Sequence, residues 1–238
     1  MPNHVTNQLT FGSDADSLAA FQKMLEEVRE TGEPLGTFDF NKLIPMPPGL
    51  DIERSGLTDE GLKLYQAYVR ELTQAGPAGA ERVERKWAAQ KRMNPDVWTL
   101  GEQAYQNLQK YGCPTWYAWA NQNWGTKWNA YQCMPLGKED DTMTFLTAWG
   151  SVPNVVAALS RKYPDQKITY RWADEDIGHN VGEMVFRGGK CVRQNVPEEG
   201  SPAAYKMAAE ILEMDLPEFC QQPPAAKKNT KGSRSKER

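Results

Sequence analysis

Residues 3–11 alternate without a break. Asn3, Val5, Asn7, Leu9 and Phe11 share one parity, and His4, Thr6, Gln8 and Thr10 share the other. A run of that period is a strand with one buried face, because successive side chains leave a strand on opposite sides. Within a few residues the period changes. Gly12 breaks the strand, and Ser13 stands as a helix cap with Asp14 and Asp16 in the first turn. Leu18, Phe21, Leu25 and Val28 then recur at helical spacing until Thr31-Gly32. Thr37–Ile44, with Phe38 and Phe40 on one parity, is predicted as a second strand that Pro45, Pro47 and Pro48 stop.

A similar order returns later. Thr142–Trp149 alternates Met143, Phe145, Thr147 and Trp149. Ser151 and Pro153 open a short helix carrying Val155, Val156, Leu159 and Tyr163, which Pro164 ends. Ile168, Tyr170 and Trp172 alternate with Thr169 and Arg171. Gly188-Gly189, set between 183–187 and 190–196, is a hairpin turn, since two glycines suit the turns of positive φ. Ser201-Pro202 starts a last helix through about Met214. Two strand–helix–strand units predict an α+β fold of ferredoxin-like plan, an antiparallel sheet with helices packed on one side.

Between the units, residues 51–113 read as a helical insertion. Its helices begin at Thr58, at Glu81 and at Thr99, with breaks at Gly76-Pro77 and Asn94-Pro95. The middle helix holds Arg82, Arg85, Lys86, Lys91 and Arg92 against Glu84, a basic cluster that is either a solvated face or a nucleic-acid contact. The expected organisation is one domain over residues 1–215, with 221–238 as a disordered basic tail. That tail carries six basic residues against one acid, so the remainder holds a balance of −8 within the chain's net −3. A basic face on the fold is what strong phosphate binding asks for, and an acidic body lacks it.

Several classes are set aside. No run approaches the ~18 apolar residues of a membrane span, and Met1-Pro2-Asn3-His4 has no basic or apolar leader, so a cytoplasmic protein with no membrane partner is expected. Cys113, Cys133, Cys191 and Cys220 form no C-x-x-C pair, and His4 and His179 are the two histidines, so no metal site is expected. Neither phosphate-loop pattern, G-x-x-x-x-G-K-[ST] nor G-x-G-x-x-G, occurs, and no cofactor is expected.

The segment 115–131 is the densest in information, with Trp116, Trp119, Trp124 and Trp128 inside thirteen residues. Read as extended from Asn123 to Ala130, it turns Trp124, Thr126 and Trp128 to the core and Asn123, Gly125, Lys127 and Asn129 outward. A lysine between two amides is a candidate face for a ligand or partner, or a face bonded to its own neighbouring loops. Asp174-Glu175-Asp176, directly after a predicted strand and close to His179 and Asn180, is the other polar cluster. It is either a solvated turn, a cation site or an ion-pair partner for Lys127.

Met1–Asn7, Phe40-Asn41-Lys42-Leu43-Ile44-Pro45-Met46-Pro47, Asn123-Trp124-Gly125-Thr126-Lys127-Trp128-Asn129-Ala130 and the 145–159 stretch resemble the YubB-like family of uncharacterised bacterial plasmid and phage proteins. The resemblance implies a ferredoxin-like domain and a mobile-element setting, and no reaction. The family pattern sets an acid between the first two tryptophans, where this chain has Ala118.

The function expected first is that of a non-catalytic accessory protein of a phage or plasmid that binds a host protein, such as a defence component. An acidic surface can imitate nucleic acid toward a basic host site. Nucleic-acid binding by the 82–92 helix and the tail is the alternative partner class. A metal-dependent hydrolase or nucleotide-binding module is the third reading. Oligomeric state stays open.

Overall fold

In this computed structural model, residues 3–29, 38–52, 54–134 and 140–217 are described. The expected basic tail, residues 30–37 with the predicted helix end at Thr31-Gly32, and Cys220 lie outside them. The opening alternation forms β1 (His4–Thr10), with Val5, Asn7 and Leu9 fully buried. The helix that follows is α1 (Ala15–Val28). Its cap is Asp14 rather than Ser13, the carboxylate accepting Ser17 N–H at 3.0 Å. The second predicted strand is not one. Phe38 makes a single bridge to Arg29, and Phe40–Lys42 is a turn of 3₁₀ helix. The Asp39 side chain takes up the Asn41 N–H at the start of that turn, giving the backbone a local partner in place of a ladder.

Four more strands, β2 (Thr142–Ala148), β3 (Ile168–Asp174), β4 (Val181–Arg187) and β5 (Lys190–Asn195), complete an antiparallel sheet of order β2-β1-β3-β4-β5. β1 thus lies between β2 and β3, which α5 (Pro153–Lys162) connects. This split unit is the complete strand–helix–strand of the fold. Gly188 and Gly189, at φ +56° and +80°, turn the β4–β5 hairpin.

α1 and α5 cover one face of the sheet. Phe21, Met24, Val155, Val156 and Leu159 pack there with Leu9, Phe145, Tyr170 and Trp172. The last helix, α6 (Pro202–Ile211), sits on the other face, where Ala204, Ala208 and Ile211 close on Ala173 and Val181. This corrects the expectation of helices on one side. The small residues of α6 and Ala173 allow a close approach, and Arg171 beside them bonds Glu210 at 3.0 Å rather than facing water alone.

The middle block is helical as predicted and forms its own core. α2 (Gly56–Met93) contains one non-helical residue, Gly76, at φ +61°, ψ −173°, followed by Pro77. There the chain reverses, and the second arm returns along the first, with Trp87 Nε1 donating to Glu71 at 2.9 Å and Tyr68 OH donating to Glu84. α3 (Pro95–Tyr111) is the third helix. Tyr68, Val83 and Trp98 form the buried centre, with Tyr65 and Trp87 against it. A Cβ on Gly61 or Gly101 would run into the other helix's backbone, so α2 and α3 cross in direct main-chain contact.

Candidate functional site

The tryptophan-rich segment differs most from its predicted form. Thr115 caps a helix, α4 (Trp116–Asn123), because Trp116, Trp119, Ala120, Asn123 and Trp124 recur at three- and four-residue steps. The chain then turns at Gly125, φ +91°. Trp124 is core, as expected: it is 3% exposed and its Nε1 donates to Ile44 O at 2.9 Å. Trp128 is not, at 37% exposed.

The outward face of Asn123, Lys127 and Asn129 is also dissolved. Asn123 donates to Trp119 O one helical turn back. Asn129 Oδ1 accepts Phe40 N–H at 2.8 Å, and its Nδ2 donates to Asp39 at 2.9 Å. Asn129 therefore fastens the 39–44 turn to the tryptophan segment, and the Phe40 ring meets Trp124 edge-on at 5.7 Å. Two motifs that carry the family resemblance are packing partners.

Lys127 alone of the three reaches a surface. Its ammonium lies 4.1 Å from the centroid of Trp128 and 5.1 Å from that of Trp149. No carboxylate among the described residues comes within 4 Å of it, so the anticipated pair with Asp174 or Glu175 does not form. Trp149 shares the parity of the buried Met143, Phe145 and Thr147, yet it is 47% exposed. Its backbone has φ +65°, left-handed and unfavourable for a bulky residue, and this rotation throws the indole out of the sheet.

Bonds from three directions hold that conformation. Trp149 N–H donates to Asn3 O, and Trp149 O accepts from Asn180 Nδ2 at 3.2 Å. Asn180 and Asn3 both donate to Asp174, at 3.3 and 3.1 Å, and Asp176 N–H donates to it at 2.9 Å. From below, Tyr170 OH accepts Val152 N–H at 2.7 Å and donates to Asn7 Oδ1 at 2.6 Å. Asn7 Nδ2 in turn reaches Thr147 Oγ1, which donates to Gly150 O. Burial of Tyr170 pushes its hydroxyl far up, so it stays a donor to Asn7. Finally, Thr126 Oγ1 bonds both N–H and C=O of Ala148. Gly125 and Gly150 meet so closely that a Cβ on Gly150 would overlap Gly125 O. The two loops are bolted together, and the exposed indoles of Trp128 and Trp149 flank one ammonium.

The other predicted residues have local roles. Asp174 is buried and occupied by amides, while Glu175 and Asp176 are exposed. Among the described residues no three His, Cys, Asp or Glu side chains gather as a metal site requires. Cys113 donates to Gln122 and His179 faces Glu199, so the structure gives them separate partners. In the basic cluster, Lys86 pairs with Glu71, Lys91 with Glu84 and Arg85 with Glu81. Arg82 adds its field at Glu71. Arg92 has no carboxylate within 4 Å among the described residues. Most of that charge is neutralised within the bundle. Among the described residues no helix is long and apolar enough to cross a membrane.

The fold is therefore an α+β one, and its candidate site is an exposed aromatic–cation surface at the end of an antiparallel sheet. Residues 123–215 match a family model described as the ferredoxin-like domain in Api92-like protein. The match starts at the last residue of α4 and includes Lys127, Trp128, Trp149 and the four later strands. A crystal structure of the protein Api92 from Yersinia pseudotuberculosis is similar at 11% identity and a TM-score of 0.41, covering 84% of this chain and 100% of that one. No curated protein matches this chain.

Proposed function

We propose that this chain is a non-catalytic binding protein that docks a protein partner on the surface where Trp128 and Trp149 flank Lys127. One observation carries the reading: Trp149 is held in a strained left-handed backbone with its indole in solvent. Strain of that kind costs about 1–3 kcal/mol and persists only where the surroundings over-determine it. Here the surroundings are Asn3, Asn180, Asp174 and the Tyr170–Asn7 pair. Tryptophan is also the side chain most enriched at the energetic centres of protein interfaces. The acidic body argues for a protein partner over a phosphate backbone. Resemblance to the YubB-like family supports the setting, an accessory protein of a phage or plasmid in the host cytoplasm, with a host defence component as the kind of target.

Affinity capture from host lysate tests the reading with wild type, Trp149→Gly and Trp128→Ala, each checked for folding. A specific partner held by the wild type is lost from both variants. Capture of the same partner at full yield by both folded variants overturns it.

A further inference from the structure

We infer that Trp128 and Trp149 form a clamp for a cationic side chain, an arginine or lysine of a basic partner, and that Lys127 is its tethered occupant, which leaves when the partner docks. The inference rests on the binding reading above and names what enters the surface.

The Lys127 ammonium is within the ~6 Å reach of cation–π attraction from both rings. Lys110 lies over one ring alone, that of Tyr111 at 4.9 Å, and the two other lysines that reach tryptophan rings differ. Lys86 over Trp87 also has Glu71, and Lys91 over Tyr68 and Trp98 also has Glu84. In those cases a carboxylate fixes the lysine. At Lys127 the two half-exposed indoles are the partners, so its position reports the preference of the rings themselves. They favour a cation, and the one present hangs on a flexible four-carbon stem.

Surrounding charge has the sign to attract a second cation. Glu175 N–H and Trp149 N–H bond the carbonyls of His4 and Asn3, so Glu175 stands two strand spacings from Trp149, about 10 Å away. Glu175 and Asp176 are both exposed, and the body without its tail carries −8. Such a field concentrates basic groups and repels acidic ones. Lys127 then acts as an internal competitor: apparent affinity is the intrinsic one scaled by the fraction of clamps it has vacated.

The full chain, labelled with ¹⁵N, is titrated with tetramethylammonium chloride at constant ionic strength. The two indole N–H signals are assigned from Trp128→Phe and Trp149→Phe. Lys127→Met is expected to bind the probe about tenfold more tightly than the wild type, with shifts at both indoles. Lys127→Gln serves as the second variant if Lys127→Met is not folded. Equal or weaker binding by the folded variant, or no shift in either protein, overturns the inference. So does an oligothymidylate that shifts both indoles of the wild type but not of Lys127→Met, because Lys127 is then the ligand-binding cation. Those results leave the lysate experiment unaffected, since loss of a partner from Trp149→Gly concerns the surface and not the charge of what enters it.

Discussion

Tyr170→Phe deletes one oxygen from the centre of the sheet and strands two groups. Tyr170 is fully buried, its hydroxyl accepting from Val152 N–H at 2.7 Å and donating to Asn7 Oδ1 at 2.6 Å. Asn7 is also fully buried, and Val152 is likewise without exposure. Both groups are fully buried, so each abandoned one bears its own desolvation penalty of about 1–3 kcal/mol, giving about 2–6 kcal/mol for the pair. That is a large part of a stability of about 5–15 kcal/mol. Tyr163→Phe is the matched control. Its hydroxyl bonds Glu27 at 2.6 Å, but the Glu27 side chain is 31% exposed and also salt-bridges Lys162, so its loss costs about 1 kcal/mol. Urea denaturation followed by circular dichroism measures both. Hydrogen exchange at Val152 N–H should accelerate in Tyr170→Phe beyond what the global change explains, because its acceptor is gone. If Tyr170→Phe costs no more than Tyr163→Phe, the claim that the pair has no solvent compensation is wrong.

Trp124→Ala should cost about 3–5 kcal/mol and Trp128→Ala under about 1 kcal/mol, a contrast that thermal melting resolves. Trp149→Gly should leave stability between unchanged and about 1 kcal/mol higher, as glycine accepts the left-handed backbone and offsets the lost packing. A clear drop in melting temperature would show that the exposed indole is structural. Glu71 and Glu84 are held below the usual carboxylate value of 4.5, Glu71 first by the Lys86 hydrogen bond and Glu84 first by that of Tyr68. Their depressed values mean protonation favours the unfolded bundle. The stabilisation is complete above about pH 4.5 and fades as pH falls through the lowered values, which near-ultraviolet dichroism of Trp87 and Trp98 should follow and Tyr68→Phe should blunt.

Where local pattern and tertiary demand agree, the fold is legible in the chain. β1, β3, the Gly188-Gly189 hairpin and α5 with its Pro153 start all follow from period and turn chemistry. The reversal at Gly76-Pro77 does too. The failures have separate causes. At 123–130 a short alternation of tryptophans competed with helical spacing that begins upstream at Trp116, and the longer pattern won. Phe38 and Phe40 do turn to the core, but from a lone bridge and a 3₁₀ turn, the latter secured by Asn129 across 89 residues, which no local reading detects. Side-of-sheet placement for α6 depends on which face α1 and α5 leave open. At the site, Lys127 is visible as a candidate because a charge sits among aromatic residues. Trp149 is hidden, since parity assigns it inward and only the bonds from Asn3 and Asn180 reverse it. The signal present was Gly150 immediately after it, marking the end of the strand.

The aromatic centre of the bundle and the centre of the sheet have no residue in common. Tyr111, where α3 ends, lies against Gly49, just before α2 begins. The helical block thus leaves the sheet and returns to it at neighbouring points, like a cassette on a short stem. Substitutions in one core are felt weakly in the other, so the two can drift at different rates. A lineage can exchange or trim the bundle while keeping the Trp128–Trp149 surface, and substitutions can accumulate on one unit without unfolding the other.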